Sequence, residues 1–482
     1  AVMAENKFME GNQLKVPLAE AMFKYVSKNP ARFHMPGHKG KKPFKYETEI
    51  FNDIWQADLT ETEGLDILAA PQDVIEEAQK ACAELCRASE AYFLVNGATV
   101  GLQACIMAAC EEKGSEIIVP RNAHRSVWGA IAMADAKPVW LPVYQDARYG
   151  IALGVDADTV NQTVLAHPNA KAVVYVYPTY HGLCNDLKAM LRTAAEHSMY
   201  TIVDEAHGGH FVFTGWPESA IDGGAAAVIQ GWHKTMGSLT QTGVLLLNDT
   251  SLPVAKYLSI LQSSSPSYPL MASLDMARAG WQAKGYELAS RILENATAMR
   301  VALSEVDIFQ VLGAGDWPWP VADYDNSRVV IVSRAGHSGR QIAEVLAAQG
   351  IYAEMADAAT VTFIVSFNDN QAEIAALKPK LQAAGKVLAT LEPKLIPQIQ
   401  SFPFGEMVML PSEALRAAAE TVPLKQAAGR VASDLVVPYP PGIPIVGFGE
   451  IISAEIVETI YRILVEGGRV QGLTEGNVSV VK

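Results

Sequence analysis

Cysteine is nearly absent from this chain, with five residues in 482, at positions 82, 86, 105, 110 and 184. Five cysteines form no paired framework, and Cys82, Cys86, Cys105 and Cys110 fall in helix-like segments. Small buried hydrophobes are expected there rather than disulfides or metal ligands. Two histidine pairs, His34 with His38 and His207 with His210, are the other metal candidates. Pro36-Gly37 and Gly208-Gly209 interrupt the helix on which either pair would share a face, so no metal is expected. Long apolar runs are missing too, which argues against a helical bilayer span, and no leader-like segment opens the sequence. Positive charge is in deficit: 38 Lys and Arg against 52 Asp and Glu leave a formal net charge of -14. A general nucleic-acid binder needs a basic face, so that class is disfavoured as well. The expectation is a soluble protein of a reducing compartment, the cytoplasm.

What is present is apolar and regular. Half the residues are hydrophobic and 19% are charged, which fits large buried sheets. The length predicts two or three domains. Residues 1–70 form a mixed N-terminal segment, with Lys39, Lys41, Lys42 and Lys45 clustered after a Pro-Gly turn. From Pro71 an amphipathic run to Ser89 reads as a helix, and Ala91-Tyr92-Phe93-Leu94-Val95 reads as a strand. Strand-like runs recur at 116–120, 138–143, 172–177, 200–203, 225–229 and 244–247, mostly separated by helical patterns such as 156–166 and 186–197. That alternation predicts an α/β large domain over 71–290, with a mostly parallel sheet, helices on both faces and ligand groups at the strand C-terminal ends. A helical connector over 276–308 leads into a smaller α+β domain over 291–395, with strands near 327–332 and 360–365 around a helix at 338–349. A C-terminal domain over 396–482 opens at Phe402 and carries the dense turn Pro438-Tyr439-Pro440-Pro441-Gly442-Ile443-Pro444.

The chemistry gathers at predicted strand ends. The run Tyr200-Thr201-Ile202-Val203 delivers Asp204, and Ala225-Ala226-Ala227-Val228-Ile229 leads into Gln230-Gly231-Trp232-His233-Lys234. A lysine there can form a Schiff base, and a buried acid can hold a pyridine nitrogen protonated. Pyridoxal 5'-phosphate (PLP) needs both groups. Upstream, Gly97, Ala98 and Thr99 lie between a strand and a helix, where a close backbone, free helical N–H groups and a hydroxyl suit a phosphate. His124, in Arg121-Asn122-Ala123-His124-Arg125-Ser126, either stacks on an aromatic cofactor or simply starts a helix. Thr179, Tyr180 and His181 follow another strand end, where a ligand-contacting cluster and a plain loop are both open. Asp204-Glu205-Ala206-His207 also spells the DEAH box of ATP-dependent helicases. That class needs a Gly-Lys-Ser/Thr phosphate loop, which this sequence lacks.

Several motifs in order carry a resemblance: His34-Met35-Pro36-Gly37-His38-Lys39-Gly40, Glu63-Gly64-Leu65-Asp66, Asn96-Gly97-Ala98-Thr99, Arg121 to Ser126, Pro178-Thr179-Tyr180, Asp204 to Gly208, His233-Lys234 and the Pro438 to Pro444 turn. Over residues 12–470 the sequence resembles the PLP-dependent ornithine/lysine/arginine decarboxylases of aminotransferase-like fold type I, in their shorter form without an N-terminal wing domain. The resemblance implies Lys234 as the Schiff-base lysine and Asp204 against the pyridine nitrogen. It puts His124 on one ring face and Ala206 on the other, Ala98, Thr99 and His233 at the phosphate, and His207 near the ring hydroxyl or the aldimine. The family usually has a phosphate-binding serine and then a small or hydroxylated residue before His-Lys; here those positions are Gly231 and Trp232.

The implied reaction is decarboxylation of a basic amino acid, arginine ahead of lysine and ornithine, with Lys234 or His233 returning a proton to Cα. Asp66 and Glu450 are expected to meet the substrate's distal cation, and a homodimer or higher homo-oligomer with sites at the interface is implied. Another fold type I enzyme (an aminotransferase or a lyase) or an impaired PLP-binding protein would share Lys234 and Asp204. Product identity separates them.

Overall fold

The computed structural model describes residues 15–32, 34–41, 54–215, 217–394, 404–439, 442–465 and 467–482. Lys42 and Lys45 of the basic cluster, Phe402, and Pro440-Pro441 of the C-terminal turn lie outside the described residues. A seven-stranded sheet is built from β1 (Glu90–Leu94), β2 (Glu116–Pro120), β3 (Lys137–Leu141), β4 (Ala172–Val176), β5 (Tyr200–Asp204), β6 (Ala227–Gln230) and β7 (Gly243–Leu247), in the order β1-β7-β6-β5-β4-β2-β3. Neighbours from β6 across to β3 pair in parallel, and β7 alone runs against its neighbours. These strands are apolar on both faces, as a parallel sheet covered on both sides requires. Alternate residues feed opposite cores: Ile118, Val173, Val203 and Val228 lie in one cluster, and Ile117, Val174, Ile202 and Ile229 in the other. The covering helices include α1 (Val74–Cys86), α2 (Gly97–Ala109), α3 (Arg125–Met133) and α4 (Leu187–Glu196).

A 37-residue helix, α5 (Tyr268–Ser304), leads to a second sheet and is broken locally at Lys284. That sheet is antiparallel, ordered β8 (Phe309–Leu312), β9 (Arg328–Ser333), β11 (Thr360–Ile364) and β10 (Met355–Ala356). Helices α6 (Gly339–Ala348) and α7 (Lys378–Leu388) share its core. The α6 start is set by a reciprocal cap, in which Gln341 N donates to Ser338 Oγ and Ser338 N donates to Gln341 Oε1. The C-terminal unit holds a small sheet, with β14 (Asn477–Val481) between β12 (Ala419–Pro423) and β13 (Leu473–Thr474), and helix α8 (Ala454–Val465). All five cysteines are free and buried, and no helix among the described residues is long and apolar enough to cross a membrane.

A buried ion pair, beside the exposed pairs Lys113–Glu413 and Arg416–Asp135, fastens the C-terminal unit to the large domain. Arg121, just beyond β2, donates from Nη1 and Nη2 to the two oxygens of Glu450 at 2.8 and 2.9 Å, and from Nη2 to the Ile445 carbonyl at 2.8 Å. Its guanidinium sits over Trp128, Trp140 and Phe404. Glu450, expected at the substrate, is instead a fully buried counter-ion. Removing one partner of such a pair strands the other charge in a dry site, so Glu450→Ala is expected to destabilise the fold by about 3–5 kcal/mol. Urea unfolding followed by tryptophan fluorescence, to which the buried Trp128 beside the pair contributes, measures it, and a loss below about 1 kcal/mol contradicts the assignment.

Candidate active site

A cavity of about 730 Å³ opens at the C-terminal ends of β4, β5 and β6, roofed by the second sheet and by the C-terminal turn. Gly97, Ala98, Thr99, His124, Asp204, Ala206, His207, His233 and Lys234 all line it, as do Thr179, Tyr180 and His181. Asp66 and Glu450 do not. Asp66 accepts backbone N–H bonds from Ile67, Gln72, Asp73, Ile75 and Glu76 around the start of α1. Burial alone would raise its pKa, but those N–H groups reverse the effect and hold the carboxyl below its ordinary range. Its sequence setting beside Gly64 reflected a helix start.

Asp204 ends β5, paired in register with Val176 on one side and Ile229 on the other. Its carboxylate accepts one bond, from Ala206 N at 3.2 Å, and keeps lone pairs for a ligand. Burial raises its pKa, opposed by the nearby Lys234. The adjacent Glu205 turns the other way, as strand alternation demands. It accepts from Ala220 N at 2.7 Å and Gln230 Nε2 at 2.6 Å in the interior.

Lys234 follows β6 on a short helix, Trp232–Thr235. Its Nζ lies 2.9 Å from His207 Nε2. The residues before it explain themselves in this fold. A Cβ at Gly231 would stand 2.9 Å from the Ala206 carbonyl oxygen and 3.3 Å from Lys234 Cδ, so a serine there would crowd the lysine. Trp232 is fully buried and donates its indole N–H to Gln230 Oε1 at 2.9 Å. Neither residue is shaped to hold a phosphate.

The N-terminus of α2 is shaped for one. Gly97 has φ +66, and its N–H is spent on the Gln241 carbonyl at 2.7 Å. Asn96 makes no capping bond, so the N–H groups of Ala98 and Thr99 have no partner among the described residues. His124 is both a cavity-lining ring and a helix cap, since its Nδ1 accepts from Ser126 N at 3.2 Å. Burial first, then the neighbouring Lys234 and Arg125 side chains, lowers its pKa to about 4 and keeps the ring neutral. Gly442 of the C-terminal turn rests on this ring: a Cβ there would lie 3.2 Å from it. His233 donates Nδ1–H to the Thr242 carbonyl at 2.6 Å, leaving Nε2 as the ring's other functional atom. A carboxylate with spare lone pairs, an amine, two unpaired helix N–H groups and flat apolar or aromatic neighbours fit PLP.

Three contributors had no sequence signal. Arg328, at the start of β9, donates from Nη2 to His207 Nδ1 at 2.9 Å. Glu354 lines the cavity and accepts the Tyr180 hydroxyl. Asp357 holds His181 at 2.9 Å. All three belong to the second sheet or its connections, more than 100 residues from their partners in sequence. Of the proposed metal pairs, His207 serves Lys234 and His210 faces Asp325, while His38 meets Asp58. No group of three metal-ligating side chains occurs among the described residues.

Known proteins match over most of the chain. The family described as Orn/Lys/Arg decarboxylase, major domain, matches residues 16–315, and its C-terminal domain matches residues 396–465. The uncharacterized protein YaaO of Bacillus subtilis is 34% identical over 476 residues, covering 95% of this chain and 96% of that protein. An arginine decarboxylase of the same organism is 32% identical over 487 residues, covering 98% of each. Among solved structures, the Francisella novicida lysine decarboxylase LdcF shares the fold at a TM-score of 0.82 and 20% identity, covering 98% of this chain and 82% of that one. This chain belongs to the Orn/Lys/Arg decarboxylase family.

Proposed function

We propose that this protein decarboxylates arginine to agmatine and CO2, with PLP held in the cavity and lysine or ornithine as poorer substrates. The observation that carries the reading is Asp204 and Lys234 facing one cavity whose floor is an uncapped helix N-terminus. When bound, PLP supplies the electron sink for the electrons left at Cα as CO2 departs. Ala98 and Thr99 hold its phosphate through backbone N–H groups and the threonine hydroxyl. Asp204 would keep a proton on the pyridine nitrogen, and His124 and Ala206 would supply flat contacts that hold the cofactor. Lys234 binds the cofactor through Nζ. It also returns the proton to Cα, because neutral His233 has committed its Nδ1–H to Thr242 and offers only a lone pair at Nε2. The preference for arginine is supported by the name of the arginine decarboxylase relative.

Glu354 is the cavity carboxylate we assign to the substrate's distal cation, with Tyr180 orienting it. A charge-assisted bond of that kind is worth about 1.5–3 kcal/mol, so Glu354→Gln is expected to raise KM for arginine roughly 10- to 100-fold with a smaller change in kcat. An unchanged KM removes Glu354 from the role. The reading as a whole is tested by CO2 release on arginine, lysine and ornithine, together with the visible absorbance of bound cofactor. Keto acid without CO2 would move the protein to the aminotransferases. A homodimer or a multiple of one, acting in the cytoplasm, completes the proposal; it rests on the family resemblance and on five cysteines kept as thiols. Light scattering that gives a monomer at working concentration contradicts it.

A further inference from the structure

His207 stands between two groups that both carry hydrogens, and counting donors decides its state. Arg328 is fully buried and turns Nη2 onto His207 Nδ1 at 2.9 Å. A guanidinium has donors only, so Nδ1 must supply the lone pair. The proton of the neutral ring is then on Nε2, which lies 2.9 Å from Lys234 Nζ. A hydrogen bond there needs a lone pair on the lysine, which an ammonium lacks. We infer that Arg328 is a positioning residue that fixes the Nε2–H tautomer of His207, and that His207 thereby holds Lys234 as a free amine, the form in which a lysine is nucleophilic.

Arg328 cannot touch a ligand itself, because it does not line the cavity. Its head is held from behind: Nη1 donates to Ser327 Oγ at 3.0 Å and lies 3.6 Å from Asp325 Oδ2, and Asp325 Oδ1 is 3.1 Å from His210 Nε2. The line His210–Asp325–Arg328–His207–Lys234 thus reaches the cavity only through its last two members. The Tyr180 ring, 4.7 Å from the His207 ring between centroids, restricts imidazole rotation. The charges facing Lys234 do not all agree. Burial lowers the amine's pKa first, Asp204 opposes it, Arg328 assists and Glu354 opposes, and the net direction is down. For His207, burial, then Lys234, Arg328, His124 and His233, all disfavour a second ring proton. The inference concerns the cofactor-free chain and does not depend on which amino acid is decarboxylated.

The test uses the full chain freed of cofactor. An amine-acylating reagent is applied across a pH series, and the peptide bearing Lys234 is followed by mass spectrometry. Half-maximal acylation of Lys234 is expected at or below neutral pH, well below that of the exposed lysines, as a free amine near neutral pH requires. Arg328→Leu frees His207 to take the Nδ1–H tautomer and also removes a guanidinium charge that lowers the amine's pKa, so the midpoint is expected to rise by about one unit, a tenfold change in proton affinity. Arg328→Lys still donates to Nδ1 and is expected to keep it low. A merely structural arginine would move the melting temperature without moving this midpoint. Nitrogen NMR of histidine-labelled wild-type protein is expected to show His207 protonated at Nε2 alone near neutral pH. A proton at Nδ1 overturns the inference, as does a folded Arg328→Leu protein whose Lys234 midpoint is unchanged. Should Arg328→Leu fail to fold, the wild-type tautomer still decides.

Discussion

Lys234→Ala is expected to lower arginine turnover by roughly 10⁴-fold or more, measured as agmatine or CO2 under saturating arginine. The size follows from what one nitrogen is asked to do. In the proposed role Nζ would both attach the cofactor and carry a proton to Cα, so its loss would remove two functions together. Folding should be nearly untouched, since among the described residues Nζ makes one hydrogen bond, to His207, and faces the cavity rather than the core. Near-normal melting with near-zero turnover is the expected pattern. Turnover within a few-fold of wild type would end the assignment, and exogenous amine that partly restores activity would support it.

Asp204→Asn should reduce kcat by about 10²- to 10³-fold while changing KM little, the loss typical of removing one preorganised electrostatic group. The amide keeps the shape and can still accept from Ala206 N, so only the charge is removed. A neutral amide cannot keep the pyridine nitrogen protonated, and the electron sink weakens accordingly. The split between kcat and KM is the informative readout: substrate contacts remain while the chemistry slows. If kcat stays within about threefold of wild type, the strand-end carboxylate is not the cofactor's partner. Full loss of cofactor binding would instead assign Asp204 to anchoring.

Much of this was legible in the sequence because the relevant physics is local. Unbroken apolar runs of four or five residues announce strands of a covered parallel sheet, and the first polar residue after such a run must emerge at the strand's C-terminal edge. Asp204 was found by that rule, and the Gly97 turn, weak by itself, gained weight from the acid and the lysine downstream. The same locality misled at Asp66 and Glu450. A carboxylate near a glycine turn looks identical in sequence whether it meets a substrate, a helix start or a buried arginine. Asp66 is decided by five backbone N–H groups, and Glu450 by Arg121, 329 residues away.

The sequence by itself determined the α/β sheet, the order of its strands along the chain and the position of acid, lysine and phosphate turn at strand ends, because periodicity and turn chemistry act over a few residues. Only the tertiary structure decided what surrounds them. The second sheet brings Arg328 onto His207 across 121 residues and Glu354 onto Tyr180 across 174. The surroundings of Lys234 are set there, since desolvation and hydrogen-bond partners depend on which elements close over a site, and no local pattern encodes that closure.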